Sequence, residues 1–120
     1  MHLAALLVAL IGCVALIAIG SRFLLQPRQA TLGFGVAADN LRALTAIKGD
    51  RDITFGLVLL VVWAAAGRTA LGWALTASAL AAIGDALIVL TNRGKLSTAL
   101  GIHGLTAGLF IAAGLVLALG

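Results

Sequence analysis

Two ionisable residues, Asp85 and His103, lie within long apolar stretches of this 120-residue chain. An acidic group at the middle of a membrane helix costs roughly 2.5–3.5 kcal/mol on insertion scales, so such a group usually faces other helices and has a partner. A histidine that is hydrogen-bonded to a carboxylate is held in one tautomer and becomes more basic. The two residues together can therefore act as a general acid and base, provided that the fold brings them close.

A second group of charges lies in the sequence IKGDRDITFGLVLL, residues 47–60, directly before an apolar run. Arg51 can keep a nearby carboxylate ionised or bind an oxygen-bearing group of a ligand, and Asp52 adds a carboxylate. A structural interpretation is equally open. In that interpretation Asp50 caps a helix and Asp52 interacts with the helix dipole. Arg51 then extends to the lipid headgroups.

The composition indicates that membrane helices must position these residues. Hydrophobic residues make up 62% of the chain and charged residues 10%, whereas a soluble domain of this length needs far more charge on its surface. A helix needs roughly 20 apolar residues to cross the hydrocarbon core, and the chain has room for about four. We therefore predict an all-α fold, an integral membrane four-helix bundle that forms a single four-span domain over residues 1–120.

Turn residues divide the chain into four predicted spans. The spans are residues 3–25, 52–66, 70–91 and 97–119, with short turns at residues 67–69 and 92–95. The connection 26–50 is too polar to span and too apolar to extend into water, so we predict an interfacial or partly re-entrant segment. Within it, Pro27 suits the first turn of a helix and residues 33–35 a break. Asp39 or Asn40 can cap a second short helix.

The first apolar run could be mistaken for a signal peptide. Its beginning carries no Lys or Arg, its apolar stretch is long, and Arg22 follows it closely. These features are typical of a retained span.

The basic residues fall almost entirely on one side of this layout. Only Arg68 lies in the turn on the other side. The seven others lie near the long connection or the 92–95 turn: Arg22, Arg28, Arg42, Lys48, Arg51, Arg93 and Lys95. The positive-inside rule predicts a multi-pass cell-membrane protein with both of these connections in the cytoplasm and its termini outside. No basic helix with interleaved aromatic residues indicates nucleic-acid binding, so the net charge of +4 is assigned to topology.

Helical counting predicts that the charged groups share one depth. The third and fourth spans reverse near Gly94, and Asp85 and His103 each lie nine residues from it. At 1.5 Å per residue, both groups are about 13 Å from the turn. The second and third spans reverse near Arg68, and Arg51 and Asp85 each lie seventeen residues from it. Residues 51–52 are therefore predicted at the level of Asp85.

Three polar residues share the faces of this acid/base pair. Ser78, Asp85 and Asn92 recur every seven residues and form one polar stripe. Thr106 lies three residues after His103, on the same helix face. The predicted site then has catalytic residues Asp85, His103 and Asp52 and ligand-binding residues Arg51, Asn92, Thr106 and Ser78.

Such a site is compatible with three functions. A cytoplasmic-side polar pocket would bind a small lipophilic molecule and isomerise it or open an epoxide by acid/base chemistry. The same groups can carry protons in a transporter or channel. In a structural membrane subunit, Asp85 would instead pair with Arg51 and fix helix packing. The sequence leaves open whether the protein is an enzyme.

The sequence predicts no metal site, and the identity of any cofactor stays open. Cys13 is the one cysteine, and no Cys/His spacing indicates a metal centre. We interpret Cys13 as a small apolar residue. No P-loop or dinucleotide fingerprint is present, and haem ligation by His103 has no second feature in its support.

Small residues indicate close helix packing. Gly104 and Gly108 form a GxxxG motif, and Ala77 and Ala81 repeat its spacing. Such motifs let helix backbones approach each other in lipid. They serve either packing within one chain or a homo-oligomer, and the sequence leaves both open.

Four ordered motifs resemble a known family. They are GSRFLLQPRQATLGFGV (20–36), KGDRDITFGLVLL (48–60), GDALIVL (84–90) and IHGLTA (102–107). Together they resemble the small integral-membrane proteins catalogued as domain of unknown function 4267. The resemblance implies four spans and no established activity, and its family-like positions are Arg22, Pro27, Gly33, Gly49, Arg51, Asp52, Asp85 and His103. Asp50 stands where the family pattern leads us to expect an apolar or small residue, which favours local capping.

Overall fold

A computed structural model describes the backbone of residues 2–120. These residues are helical apart from short turns and contain no strand, so the predicted all-α fold is confirmed. The chain divides into two compact units, Met1–Asp50 and Arg51–Gly120.

The first unit contains a long helix, α1 (His2–Leu25), and a short one, α2 (Pro27–Phe34). Pro27 occupies the first helical position, where its missing N–H is not needed and its fixed φ suits the helix. Gly35 ends α2 with a φ of 116°, and its N–H donates to the carbonyl oxygens of Thr31 and Leu32. Both predicted signals, the helix start at Pro27 and the break at residues 33–35, are confirmed.

The α2 helix folds back against the end of α1. The rings of Phe23 and Phe34 meet edge to face with 6.3 Å between their centroids. Ala30 and Thr31 are buried on the inner face of α2, and the Thr31 hydroxyl donates to the carbonyl oxygen of Pro27 at 2.7 Å. α1 and α2 therefore form a helical hairpin, in which α2 belongs to the connection after the first span.

The third helix, α3 (Leu41–Thr91), begins earlier than predicted. Asn40 caps it, since its side-chain Oδ1 accepts a hydrogen bond from the N–H of Ala43 at 3.0 Å. The helix then continues without a stop through the charged stretch. The prediction of a separate short helix after Asn40 and of a second span starting at residue 52 is therefore wrong. No proline interrupts the segment, and a single glycine inside a helix costs only about 1 kcal/mol.

Asp50 and Asp52 accordingly do not lie at a helix start. They follow Leu41 by nine and eleven residues, inside α3. The interpretation of Asp50 as an N-cap and of Asp52 as a first-turn carboxylate is wrong. The backbone N–H groups without a partner in the helix, and the positive end of the helix dipole, lie in the first turn, which begins at Leu41.

Gly67 breaks α3 near its middle. Its φ of 86° and ψ of −172° are not helical, and such a positive φ favours glycine. An unbroken helix of 51 residues would measure about 77 Å, more than twice the roughly 30 Å hydrocarbon core. The break therefore divides α3 into two segments, residues 41–66 and 68–91, as the predicted turn at residues 67–69 requires.

The last helix, α4 (Leu96–Leu119), follows a turn in which Arg93 has a φ of 62° and the Gly94 N–H donates to the carbonyl oxygen of Val89. Its start agrees with the predicted fourth span within one residue. Residues Ala99–Gly104 form a π-helix, and the regular α-helix resumes at Leu105. Three helices, α1, α3 and α4, are long and apolar enough to cross a membrane, which supports an integral membrane protein.

Glycines let α3 and α4 approach each other closely. A Cβ added at Gly72 would lie 2.6 Å from the carbonyl oxygen of Gly114, and one added at Gly114 would lie 2.7 Å from the carbonyl oxygen of Gly72. Gly72 also contacts Ala118, and Gly114 contacts Thr76. The small-residue packing between these helices thus depends on a Gly72–Gly114 pair.

The predicted GxxxG motif does not supply this contact. Gly108 is exposed, and a Cβ added there would meet nothing within 4 Å. Ala77 and Ala81 of α3, which repeat the spacing of the motif, are exposed as well. For these three residues the interpretation as packing within one chain is wrong, because the contacting faces of α3 and α4 lie elsewhere on the helices.

Candidate functional site

Asp85 lies on the packed side of α3. Its side chain is half-buried, and Ala82 and Ser78, three and seven residues earlier, are buried. Residues at these spacings share one face of a helix. The predicted polar stripe therefore starts on the inner face at Ser78 and reaches the exposed end of the helix at Asn92.

His103 occupies the corresponding side of α4. It is half-buried, with the buried residues Ala99 and Ala107 four positions before and after it. It also lies inside the π-helical segment Ala99–Gly104. Such wide turns are rare and occur frequently at functional sites, so the backbone adds an observation in favour of a site at His103.

The glycine contact fixes the relative level of the two residues. Asp85 lies thirteen residues after Gly72 along α3. The α4 neighbours of Gly72 are Gly114 and Ala118. Because the two helices are antiparallel, the positions on α4 that match Asp85 lie thirteen residues before these neighbours, in the segment 101–105. His103 is the middle residue of that segment, so this register supports the predicted common depth of Asp85 and His103.

Neither side chain is committed to a partner. Within residues 2–120, Asp85 and His103 make no side-chain hydrogen bond or ion pair. No fully buried side-chain nitrogen or oxygen of the described residues lacks a hydrogen-bond partner, so the polar atoms of both groups remain accessible. A ligand could therefore reach the carboxylate and the imidazole.

The structural alternative required an ion pair between Asp85 and Arg51. That pair is not formed among the described residues, because Asp85 makes no ion pair there. Arg51 and Asp52 are exposed residues of α3. The structure thus places Asp85 and His103 on facing helices, with Arg51 and Asp52 on an exposed part of the chain.

The three polar residues predicted to bind a ligand all donate to backbone carbonyls of their own helices. The bonds run from Ser78 to Ala74 at 2.6 Å, from Thr106 to Ile102 at 2.7 Å and from Asn92 to Ile88 at 2.8 Å. This pattern satisfies a hydroxyl or amide donor inside an apolar environment. Ser78 and Thr106 therefore offer a ligand only their acceptor oxygens, because each hydroxyl has a single proton. The Asn92 amide has two N–H donors and also donates to the Thr91 hydroxyl at 3.4 Å, so its Oδ1 is the acceptor that remains for a ligand.

Sequence reasoning missed the π-helix. Gly101 and Gly104 flank His103, and glycine weakens a helix, which is the one local signal of irregularity. The Thr106 hydroxyl bonds the carbonyl oxygen of Ile102 inside the π-helical segment. Thr106 therefore helps to satisfy the backbone next to His103.

The described residues contain no group of three or more His, Cys, Asp or Glu that could hold a metal ion. Asp85 and His103 supply one carboxylate and one imidazole, fewer than the three protein ligands typical of a catalytic zinc site.

Comparison with known proteins gives a family and no activity. The family model described as Domain of unknown function (DUF4267) matches residues 13–117. No curated protein and no solved structure matches the chain.

Proposed function

The chain belongs to the family described as domain of unknown function 4267, and we propose that it binds a small lipophilic molecule between α3 and α4 and acts on it by acid/base catalysis. The observation that supports this proposal is the half-burial of Asp85 and His103 on the packed sides of α3 and α4, together with a helix register that favours a common level. An ionisable group within a membrane is costly, and Asp85 has no ion pair in the described chain to offset that cost.

The proposed chemistry is a proton shift within the bound molecule. The Asp85 carboxylate takes a proton from a carbon next to a carbonyl or a double bond. The protonated imidazole of His103 delivers a proton to a second carbon or to oxygen, and the two groups exchange roles to close the cycle. Opening an epoxide uses the same groups, with the acid protonating the ring oxygen and the base activating water.

Helical counting is the reason for including Arg51 and Asp52 in the proposed site. They lie sixteen and fifteen residues before Gly67, and Asp85 lies eighteen after it. If the chain reverses at Gly67, the three residues share nearly one level. Arg51 would then hold an oxygen-bearing group of the ligand, and Asp52 would supply a second carboxylate.

Solvent deuterium tests the acid/base step directly. The purified protein is incubated in D₂O with the small lipophilic molecules that copurify with it. These molecules are then extracted, and their deuterium content is measured by mass spectrometry. A proton shift exchanges carbon-bound hydrogen with solvent, so we expect deuterium in at least one molecule. Asp85→Asn and His103→Gln should each slow the incorporation by about 100-fold or more.

Asp39→Asn is the matched control, because Asp39 is an exposed carboxylate in the turn before α3. It should incorporate deuterium at the wild-type rate. Equal incorporation by the wild type, Asp85→Asn and His103→Gln would contradict the proposal, as would the absence of deuterium from every copurifying molecule.

The proposal includes the topology. We propose a single four-span domain in the cell membrane, with the termini outside and both the connection 26–50 and the 92–95 turn in the cytoplasm. The support is the charge distribution, in which Arg68 is the one basic residue of the opposite turn. A homo-oligomer stays part of the proposal, because exposed Gly108 leaves space for a second helix to approach.

A further inference from the structure

A cleft whose lining includes neither Asp85 nor His103 lies between α1 and α2, in the unit Met1–Asp50. It encloses about 380 Å³. Its walls are Ile19, Arg22 and Phe23 of α1 and Ala30, Gly33 and Phe34 of α2. The rings of Phe23 and Phe34, which meet edge to face, form part of this wall.

The lining combines one cation with an otherwise apolar wall. Arg22 is exposed, and its guanidinium makes no hydrogen bond or ion pair within residues 2–120. The first 38 residues of the chain contain no Asp or Glu, so no carboxylate of this segment competes for the charge. The complementary ligand carries an anion next to an apolar chain.

The position of the cleft selects the kind of ligand. The apolar helix α1 has 24 residues and measures about 36 Å, slightly more than the roughly 30 Å hydrocarbon core. Arg22 in its last turn thus reaches the depth of the lipid phosphates, where arginine side chains extend to the headgroups. Basic pockets between helices at this depth bind anionic lipid headgroups.

We propose that this cleft is a binding site for one anionic phospholipid. The Arg22 guanidinium holds the phosphate with two parallel hydrogen bonds. One acyl chain lies against Phe23 and Phe34 and passes Gly33, whose missing side chain leaves the wall open. The lipid would bind the helical hairpin α1–α2 and not the pair formed by α3 and α4.

Lipid competition tests this site. The full-length protein is reconstituted with an equimolar mixture of phosphatidylglycerol and phosphatidylcholine, extracted, and examined by native mass spectrometry. The wild type should retain one phosphatidylglycerol in preference to phosphatidylcholine. Arg22→Gln should lose this preference by about tenfold or more, the effect of removing a charge-assisted bond. Arg42→Gln, which removes a cation outside the cleft, should keep it.

Gly33→Leu is a second variant that acts on shape and not on charge. A Cβ at Gly33 meets nothing within 4 Å, so the longer side chain fits the fold and fills the cleft. We expect it to lose the bound lipid while it keeps its helical circular dichroism. Equal retention of phosphatidylglycerol by the wild type, Arg22→Gln and Gly33→Leu would overturn the proposal, as would equal retention of both lipids by the wild type.

Discussion

Asp85 shows how one residue can separate a structural from a functional interpretation. A carboxylate that fixes helix packing needs a cation, and losing one partner of a buried pair destabilises a protein by about 3–5 kcal/mol. Asp85 is half-buried and makes no ion pair in the described chain. The lack of an ion pair there favours the proposed functional interpretation over the structural one.

Replacing Asp85 with Asn should leave the fold intact. Asn keeps the shape of the side chain and removes the ionised carboxylate, so the free energy of unfolding should stay equal or rise by roughly 1 kcal/mol. Thermal unfolding in detergent micelles measures this change, with Asp39→Asn as the control in an exposed turn. A clear loss of stability in Asp85→Asn alone would show that Asp85 has a structural partner.

The candidate residues themselves were predictable from the sequence, but the roles of their neighbours were not. Asp85 and His103 stand out because ionisable groups are rare within apolar runs. The role of Asp50 was misjudged because helix starts depend on a competition between capping residues. Asn40 caps the helix by accepting a hydrogen bond from the Ala43 N–H, so Asp50 lies in the interior of the helix.

At the scale of the elements, the pairing of α3 with α4 depends on two glycines that face each other. Apolar side chains gain nothing by leaving lipid for another helix, so backbone approach supplies the packing energy. Gly72 and Gly114 permit that approach. The GxxxG spacing of Gly104 and Gly108 does not predict this contact, because glycines of separate helices can meet without any spacing pattern in the sequence.

Gly114→Ala should weaken this pair. The added methyl group would press on the carbonyl oxygen of Gly72 at 2.7 Å, and overpacking of this kind costs typically about 1–3 kcal/mol. Gly108→Ala, in the same helix, adds the same methyl group in open space and should leave stability unchanged or slightly raised. Unfolding in detergent micelles compares the two variants. Equal stability of Gly114→Ala and Gly108→Ala would contradict the close contact.

The π-helix lies beyond sequence reasoning for a related reason. A π-helical turn differs from an α-helical one by a shift of the backbone hydrogen bonds by one residue. Such a shift is decided by packing and by side-chain bonds, such as that of Thr106 to Ile102. The consequence is local but relevant, because the segment Ala99–Gly104 sets the direction in which His103 points.

At the scale of the whole molecule, composition and charge placement carry the prediction further than local patterns do. A chain with 62% hydrophobic and 10% charged residues has few alternatives to membrane helices. The predicted span boundaries agree with the observed helices at both turns, near Gly67 and residues 92–95. The exception is the start of α3, where the last ten residues assigned to the connection, residues 41–50, are helical.

The topology can be tested with the protein's own chemistry, since Cys13 is its one cysteine. Cys13→Ala gives a background without thiols, and Thr69→Cys or Lys95→Cys then places one exposed thiol in each of the two turns. A membrane-impermeant maleimide added to intact cells should label the Thr69→Cys variant. The Lys95→Cys variant should be labelled only after permeabilisation, because the proposed topology places its turn in the cytoplasm.

The labelling pattern separates the two parts of the topology. Opposite accessibility of the two variants would show that the segment 68–91 crosses the membrane, whichever end is inside. Labelling of both variants from the same side would contradict the crossing and with it the proposed depth of Asp85. Labelling of Lys95→Cys from outside and of Thr69→Cys from inside would keep the crossing but invert the orientation. The acid/base pair would then open toward the exterior, since Asp85 and His103 lie nearer to the 92–95 turn than to Gly67.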